Sequence, residues 1–356
     1  MSARIAASDS IHKFPYKWYL SDLGKIERNG KKVFSCFSCG GGSSMGYKLA
    51  GYTVIGNCEI DPKMQAVYKV NNHPLHSFTM DIRDFNKLTD LPDDLKDLDI
   101  LDGSPPCSVF STAGKREKGW NTEKVFREGQ KKQRLDDLFF FFIETAKKLQ
   151  PKVVIAENVE GLIKKNARGY VNEIIHAFDD AGYEIQLFCL DARYMGVPQK
   201  RRRVFFIGHR KDISLPKLSL TFSEKPILFK EIRSRDGIEL QDGPIKRILA
   251  RRKPGDTSLA DIHAHETGKL SGFTNRMMID DDVAFTLTSG GTIVRFCDGK
   301  KITRDDIVNM QTFPQDYDFL NQSPQYVCGM SVPPVMMAQV AAKVYEQWLS
   351  GIDEGS

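Results

Sequence analysis

A single thiol, Cys107, follows Gly103-Ser104-Pro105-Pro106 at the end of the strand-like run Leu98-Asp99-Ile100-Leu101-Asp102. The two prolines fix φ and supply no backbone N–H. The turn therefore continues neither as helix nor as central strand, and it projects the cysteine from the carboxyl edge of a sheet. A thiol held that way is placed for nucleophilic addition; the alternative is the buried, inert cysteine that most free cysteines are. What favours chemistry is the company it keeps. Glu157-Asn158-Val159 closes a second apolar run, Val153-Val154-Ile155-Ala156, and Gln199-Lys200-Arg201-Arg202-Arg203 precedes a third, Val204 to Gly208. A carboxylate ending so apolar a strand is either paired structurally or kept for chemistry. A glycine turn, Cys39-Gly40-Gly41-Gly42, is followed about 20 residues on by Glu59-Ile60-Asp61, where nucleotide-binding α/β folds hold ribose hydroxyls. That turn lacks the GxGxxG spacing, so the signal rests on the acid that follows it.

The elements that must position these groups alternate. Val33 to Ser38 reads as a strand, Ser43 to Ala50 as a short helix closed by Gly51, and Tyr52 to Cys58 as a strand. His76 to Met80 is a third strand ending at Asp81, and Leu98 to Asp102 a fourth. Leu135 to Leu149 has helical periodicity ahead of the strand Val153 to Ala156, and further βα-like units run from Ala167 to Leu190 and Val204 to Gly208. This predicts a doubly wound, mainly parallel sheet with ligands at the carboxyl ends of its strands. The pattern breaks after His209, and residues 212–280, polar and irregular, read as a small second domain. Asp305 to Met310 and Val335 to Trp348 return to helix. Residues 1–31 read as a polar leader with an aromatic patch, Phe14 to Leu20.

Composition narrows the class. The longest purely apolar run, Leu138 to Ile143, is far short of a membrane span, and the first thirty residues lack a secretory signal. Seven cysteines in an intracellular chain suggest reduced thiols. Cys36 and Cys39 match a CxxC spacing, but residues three apart in a strand face opposite ways, and neither a second Cys/His pair nor a His array completes a metal site. The net charge of +5 is concentrated: Lys115 to Arg134 holds eight Lys/Arg against three Glu, with further basic clusters at Lys200 to Arg203 and Lys246 to Lys253. Clusters divided by the acidic stretches Asp90 to Asp99 and Asp280 to Asp282 fit one basic face toward nucleic acid.

Taken in order, these segments resemble the cytosine-(carbon 5)-specific DNA methyltransferases from about Val33 to Trp348. Phe37-Ser38-Cys39-Gly40-Gly41-Gly42 is similar to that family's first motif, Glu59-Ile60-Asp61 to its second, Asp81-Ile82 to its third and Pro105-Pro106-Cys107 to its catalytic motif. Glu157-Asn158-Val159 matches the ENV triplet and Gln199, Arg201 and Arg203 the QxRxR pattern; Gln311-Thr312-Phe313-Pro314 and Gly329-Met330-Ser331-Val332-Pro333-Pro334 complete the set. Cys39, Ser108 and Met330 depart from the usual glycine, glutamine and asparagine.

The resemblance implies a Rossmann-like fold of the class I methyltransferase type. Residues 32–211 and 281–356 would form the catalytic, cofactor-binding domain and 212–280 the target-recognition domain. It implies S-adenosylmethionine as cofactor, double-stranded DNA as substrate and no metal. Cys107 would add to carbon 6 of a cytosine swung out of the duplex, Glu157 would hold the ring's N3 and amine, and Arg203 and Arg201 would contact the base carbonyl and nearby backbone. Positive charge there favours the thiolate. Phe37 and Ile60 would sandwich adenine, Glu59 accept the ribose hydroxyls and Asp81 the adenine amine. Gly40, Gly41, Ile82, Pro106, Ser331 and Val332 would complete the cofactor site. Ser111, Lys115, Arg116 and Trp120 in the basic segment, and Arg233, Arg235, Gln241 and Arg247 in the second domain, would contact DNA. The expected setting is the cytoplasm of a bacterium or phage host, close to the nucleoid, with the enzyme monomeric and a cognate restriction endonuclease in the same system. The alternatives are an RNA (tRNA) cytosine methyltransferase on the same core and a catalytically silent DNA-binding or cofactor-sensing protein.

Overall fold

Val153 and Ile155 pack on one side of the central sheet and Val154 and Ala156 on the other, and all four are fully buried. Near-continuous apolar strands of this kind need cover on both faces. The computed structural model describes residues 12–106, 137–164, 168–269 and 275–352. Seven strands form the sheet: β1 (Lys32–Cys36), β2 (Thr53–Glu59), β3 (His76–Thr79), β4 (Ile100–Gly103), β5 (Val153–Val159), β6 (Tyr183–Asp191) and β7 (Arg202–Arg210), in the order β3-β2-β1-β4-β5-β7-β6. From β3 to β5 every pairing is parallel. β7 runs antiparallel to both β5 and β6. The sheet is thus mainly parallel, as expected, but β6 and β7 are not separate βα units. Only a short 3-10 turn, Ala192–Tyr194, lies between them, and strands joined without a crossover helix must run antiparallel.

The crossover helices are α1 (Gly42–Leu49), α2 (Pro62–Asn72), α3 (Ile82–Lys87), α4 (Leu138–Leu149) and α5 (Arg168–Asp180). Asp61 starts α2 by accepting the Lys63 N–H at 2.8 Å, with Pro62 in the first turn, and Asp81 starts α3 by accepting the Arg83 N–H at 2.8 Å. Beyond the sheet come α6 (Phe229–Ile232), α7 (Pro244–Leu249), α8 (Leu259–Thr267), the two-residue strands β8 (Met277–Met278) and β9 (Val294–Arg295), then α9 (Arg304–Gln311), α10 (Pro324–Met330) and α11 (Pro334–Gln347). The stretch Pro324–Gly351 is apolar and long enough to cross a membrane, yet 78% of its 18-residue apolar window is buried inside the fold as a core element.

A separate small core gathers Ile248, Leu249, Leu259, Ile262, Met277 and Val294. The earlier part of the segment assigned from sequence to the second domain packs otherwise: Leu218, Ile227, Phe229 and Ile232 are buried in the main core. The acidic run is a clasp between the two parts, with Asp280 paired to Arg233 (2.9 Å), Asp281 to Lys230 (2.6 Å) and Asp282 to Lys200.

Two close fits hold the top of the sheet. At Gly46 in α1 an added methyl would meet the Pro334 carbonyl and Met337 Cβ (2.5 Å) of α11. Between β1, α1 and β4, the buried Asp102 accepts the hydroxyls of Ser35 (2.7 Å), Ser43 (2.7 Å) and Tyr47 (3.3 Å). Burial pushes its carboxyl up to about 6, against those three hydrogen bonds.

Gly46→Ala should therefore destabilise the fold by about 1–3 kcal/mol through overpacking, read as a lower urea midpoint; an unchanged midpoint contradicts the fit. Asp102 binds its proton more tightly folded than unfolded, so its contribution to stability is full at low pH and falls as pH rises through the window from its unfolded value to about 6. Asp102→Asn removes that loss. From about pH 4 to about pH 7, the variant's stability relative to the parent should improve by roughly 2 kcal/mol in urea unfolding, and parallel pH curves would refute the assignment.

Candidate active site

At the carboxyl ends of β1 to β4, beside the reversal of strand order between β1 and β4, lies a cavity lined by Phe37, Glu59, Ile60, Asp81, Ile82 and Pro106. Open α/β sheets bind ligands at such a switch point. Cys39, Cys58, Asp61, Met64, Met80, Ser104, Leu138, Tyr326 and Met330 complete its wall. Six of the ten residues expected to hold the cofactor thus share one cavity with the backbone that leads into Cys107.

The turn after β1 is shaped by left-handed residues. Phe37 (φ 52°), Cys39 (φ 45°) and Gly41 (φ 88°) all lie in the region that favours glycine. This explains why glycine is the usual occupant of position 39 in the resembling family. The N–H of Cys39 donates to Glu59 Oε2 at 2.7 Å, and the N–H of Asp61 donates to Oε1 at 2.9 Å. Burial raises the Glu59 pKa, and these N–H groups oppose the rise. Burial and the nearby Glu59 push the Cys39 thiol up to about 12, so it is neutral; its Sγ lies 3.7 Å from Met64 Sδ.

Asp81 both caps α3 and pairs with the Arg83 guanidinium at 3.0 Å while lining the cavity. Gly40, Gly41, Ser331 and Val332 are not among the residues that line it. A side chain at Gly40 would strike Val327, one at Gly41 would strike Asn72, and one at Gly42 would strike the Val332 carbonyl and Ser331 Cβ (2.9 Å). These glycines admit the closing segment of the chain. Ser331 donates its hydroxyl to the Val327 carbonyl at 2.8 Å and is buried, as is Val332.

On the other flank, Glu157 of β5 and Arg203 of β7 form a buried pair, Nε to Oε1 2.9 Å. The register sets Val159 opposite Arg203, and residues two apart share a face, so the antiparallel run of β7 brings the guanidinium onto the carboxylate's side. Burial lowers the Arg203 pKa and Glu157 opposes the shift. Asn158 donates Nδ2–H to the Pro105 carbonyl at 3.0 Å and fixes the Pro-Pro turn to the end of β5. Arg201 is turned to another use. Its guanidinium is almost wholly buried and donates to the carbonyls of Leu287 (3.3 Å), Gly329 (3.2 Å) and Ser331 (2.9 Å). Gln199 donates to the Met310 carbonyl and to Gln311, which in turn donates to the Ser331 carbonyl at 2.7 Å.

Cys107, Ser111, Lys115, Arg116 and Trp120 lie outside the described residues. Of the second-domain residues, Arg235, Gln241 and Arg247 are exposed, whereas Arg233 is held by Asp280. Among the other lining residues, Cys39 and Met330 carry a sequence signal, since both break the family pattern, whereas Cys58, Met64, Met80 and Tyr326 carry none.

The profile of the family described as C-5 cytosine-specific DNA methylase matches residues 31–346. The type II methyltransferase M.NgoPII of Neisseria gonorrhoeae is 29% identical over 348 residues, 89% of this chain and 96% of that protein. M.FnuDI of Fusobacterium nucleatum is 28% identical, over 90% of this chain and 95% of that protein. Among solved structures, a putative DNA modification methyltransferase from an E. coli prophage has TM-score 0.64 at 20% identity, covering 89% of this chain and 99% of that one. Spodoptera frugiperda DNMT2 has TM-score 0.60 at 17% identity, covering 89% and 100%. The folds agree in having the class I methyltransferase sheet, and with a profile that spans the chain almost from end to end, this protein belongs to the C-5 cytosine-specific DNA methylase family and is a DNA cytosine methyltransferase.

Proposed function

We propose that the enzyme uses S-adenosylmethionine to methylate carbon 5 of a cytosine within a specific duplex DNA sequence, through a covalent bond from Cys107 to carbon 6. The supporting observation is that one cavity is lined both by Glu59, a carboxylate held in place by backbone N–H groups, and by Ser104 and Pro106, the last steps before Cys107. The cavity suits an adenosine: Phe37, Ile60 and Ile82 offer apolar walls and Glu59 a partner for a ribose diol. When bound, S-adenosylmethionine supplies an electrophilic methyl group.

The chain's residues do the rest. Cys107 as thiolate adds to carbon 6 and breaks the ring's aromaticity, which makes carbon 5 nucleophilic. After methylation carbon 5 gives up its proton and the thiolate leaves. Glu157, held by Arg203, meets N3 and the exocyclic amine so that charge arising on the ring is neutralised where it forms. Asn158 fixes the Pro105 carbonyl and thereby the approach to Cys107. Arg201 acts as a strut for the closing segment rather than on the base. The base must leave the helix to be reached. Lys115, Arg116 and Ser111 contact the DNA, Trp120 fills the vacated stack, and Arg235, Gln241 and Arg247 face the recognition sequence. The relatives' type II names support a modification role in the cytoplasm beside a cognate restriction endonuclease.

DNA carrying 5-fluorocytosine at the target should trap a covalent enzyme adduct that Cys107→Ser abolishes; an adduct that persists in the variant would refute the thiol's role. Glu157→Gln should lower kcat by about 10²–10⁴-fold while cofactor binding stays near the parent value. Labelled methyl transfer to duplex DNA, with none to tRNA, is expected, and the opposite preference would overturn the substrate.

A further inference from the structure

The leader has no place in the catalytic motifs, yet two rings of its aromatic patch, Phe14 and Trp18, are buried. Trp18 is 1% exposed, and its indole N–H donates to the Thr312 carbonyl at 2.9 Å. The Gln315 N–H donates back to the Trp18 carbonyl at 2.8 Å, and the Leu20 N–H donates to Asp316 Oδ1 at 2.9 Å. Three hydrogen bonds therefore bind the strap Trp18–Leu20 to one turn, residues 312–316.

That turn is costly to hold. Thr312 has φ 57°, a left-handed conformation that a β-branched residue rarely adopts. Its carbonyl takes the Trp18 indole, and its hydroxyl takes the Val335 N–H at 3.0 Å. The turn is also the floor beneath the glycine turn. The Tyr317 hydroxyl donates to the Gly40 carbonyl, and Phe313 Cζ would lie 3.0 Å from a methyl placed on Gly42. Next to Gly40 is Cys39, whose N–H fixes Glu59. A continuous set of contacts runs from Trp18 through residues 312–317 and Gly40 to the carboxylate at the cavity.

We infer that Trp18 is a positioning residue for the cofactor site: the N-terminal strap clamps the 312–317 turn, and the turn holds the Phe37–Gly42 backbone in its ligand-accepting shape. This rests on the reading of the cavity as the S-adenosylmethionine site. The strap acts on cofactor affinity and not on DNA contacts or the chemical step, because among the described residues none of the hydrogen bonds of Trp18–Leu20 reaches the Glu157 flank.

The test is calorimetric titration of S-adenosylmethionine into the full-length protein, with KM for cofactor and DNA, kcat and melting temperature measured alongside. Trp18→Ala should weaken cofactor binding and raise its KM roughly tenfold, leaving kcat and KM for DNA within about twofold. Trp18→Phe, which keeps an apolar ring but loses the N–H, should show a smaller loss in the same direction and keeps the test alive if Trp18→Ala does not fold. Lys13→Ala, which cuts the Lys13–Glu346 pair at the exposed end of the segment, should bind cofactor as the parent does. Cofactor affinity unchanged in both Trp18 variants, or cofactor and DNA affinity lost to the same degree, would overturn the strap. A parent protein that binds no S-adenosylmethionine would instead overturn the reading of the cavity, and the strap's role with it.

Discussion

The carboxylate of Glu59 accepts the N–H of Cys39 on one oxygen and the N–H of Asp61 on the other, and the upper edge of the sheet is arranged around that double contact. It joins the turn after β1 to the turn after β2. A carboxylate this buried is tolerated because each of its oxygens is paired. The price is local backbone strain. For Cys39 to aim its N–H at Glu59, Phe37 and Cys39 adopt left-handed φ values, which cost a non-glycine residue of order 1–2 kcal/mol each unless neighbours enforce them. The neighbours here are Tyr317, bonded to the Gly40 carbonyl, and the closing segment packed against Gly42.

The second flank depends on strand direction. If β7 ran parallel to β5, Arg203 at its start would lie at the opposite end of the sheet from Glu157, which is near the carboxyl end of β5. The antiparallel insertion of β7 puts the start of one strand beside the end of the other, and a buried ion pair forms 2.9 Å across. An unpaired carboxylate in that position would be strongly disfavoured, so the hairpin of β6 and β7 is what permits an acid at the end of so apolar a strand. The same hairpin carries Gln199 and Arg201 in its connection, where they reach the carbonyls of residues 287, 310, 329 and 331.

Much of this was legible in the sequence because it is written in local rules. Apolar runs ending in Glu59, Asp81 and Glu157 announce strands with acids at their carboxyl ends, and the prolines at 105 and 106 announce the turn into Cys107. The direction of β7 is not a local property: Val204 to Gly208 is equally apolar either way, and only the shortness of the connection after Asp191 argues for a return. Nor could periodicity distinguish Arg201 from Arg203, two residues apart in one motif, although one is a strut for carbonyls and the other the partner of Glu157. Leu218, Ile227, Phe229 and Ile232 lie in apolar groups too short to show a period, between prolines and charged residues, and tertiary packing assigns them to the main core.

The glycine turn shows that one motif can answer to two constraints. Glycines before a helix suggest close approach of a ligand to the backbone. Here the atoms that would collide with added side chains at Gly40, Gly41 and Gly42 belong to Val327, Asn72, Ser331 and Val332, three of them from α10 and the segment that follows it. The first and last motifs of the chain are therefore one packing unit, about 290 residues apart in sequence. Two of the three substituted positions fall on the same seam: Cys39 and Met330 both line the cavity, one at each side of the junction. Replacing the usual glycine and asparagine with two sulfur-bearing side chains makes this corner apolar and polarisable, and burial keeps the thiol neutral. A corner of that kind offers contact and shape rather than polar partners, and Glu59, Asp61 and Asp81 supply the polar part of the cavity wall.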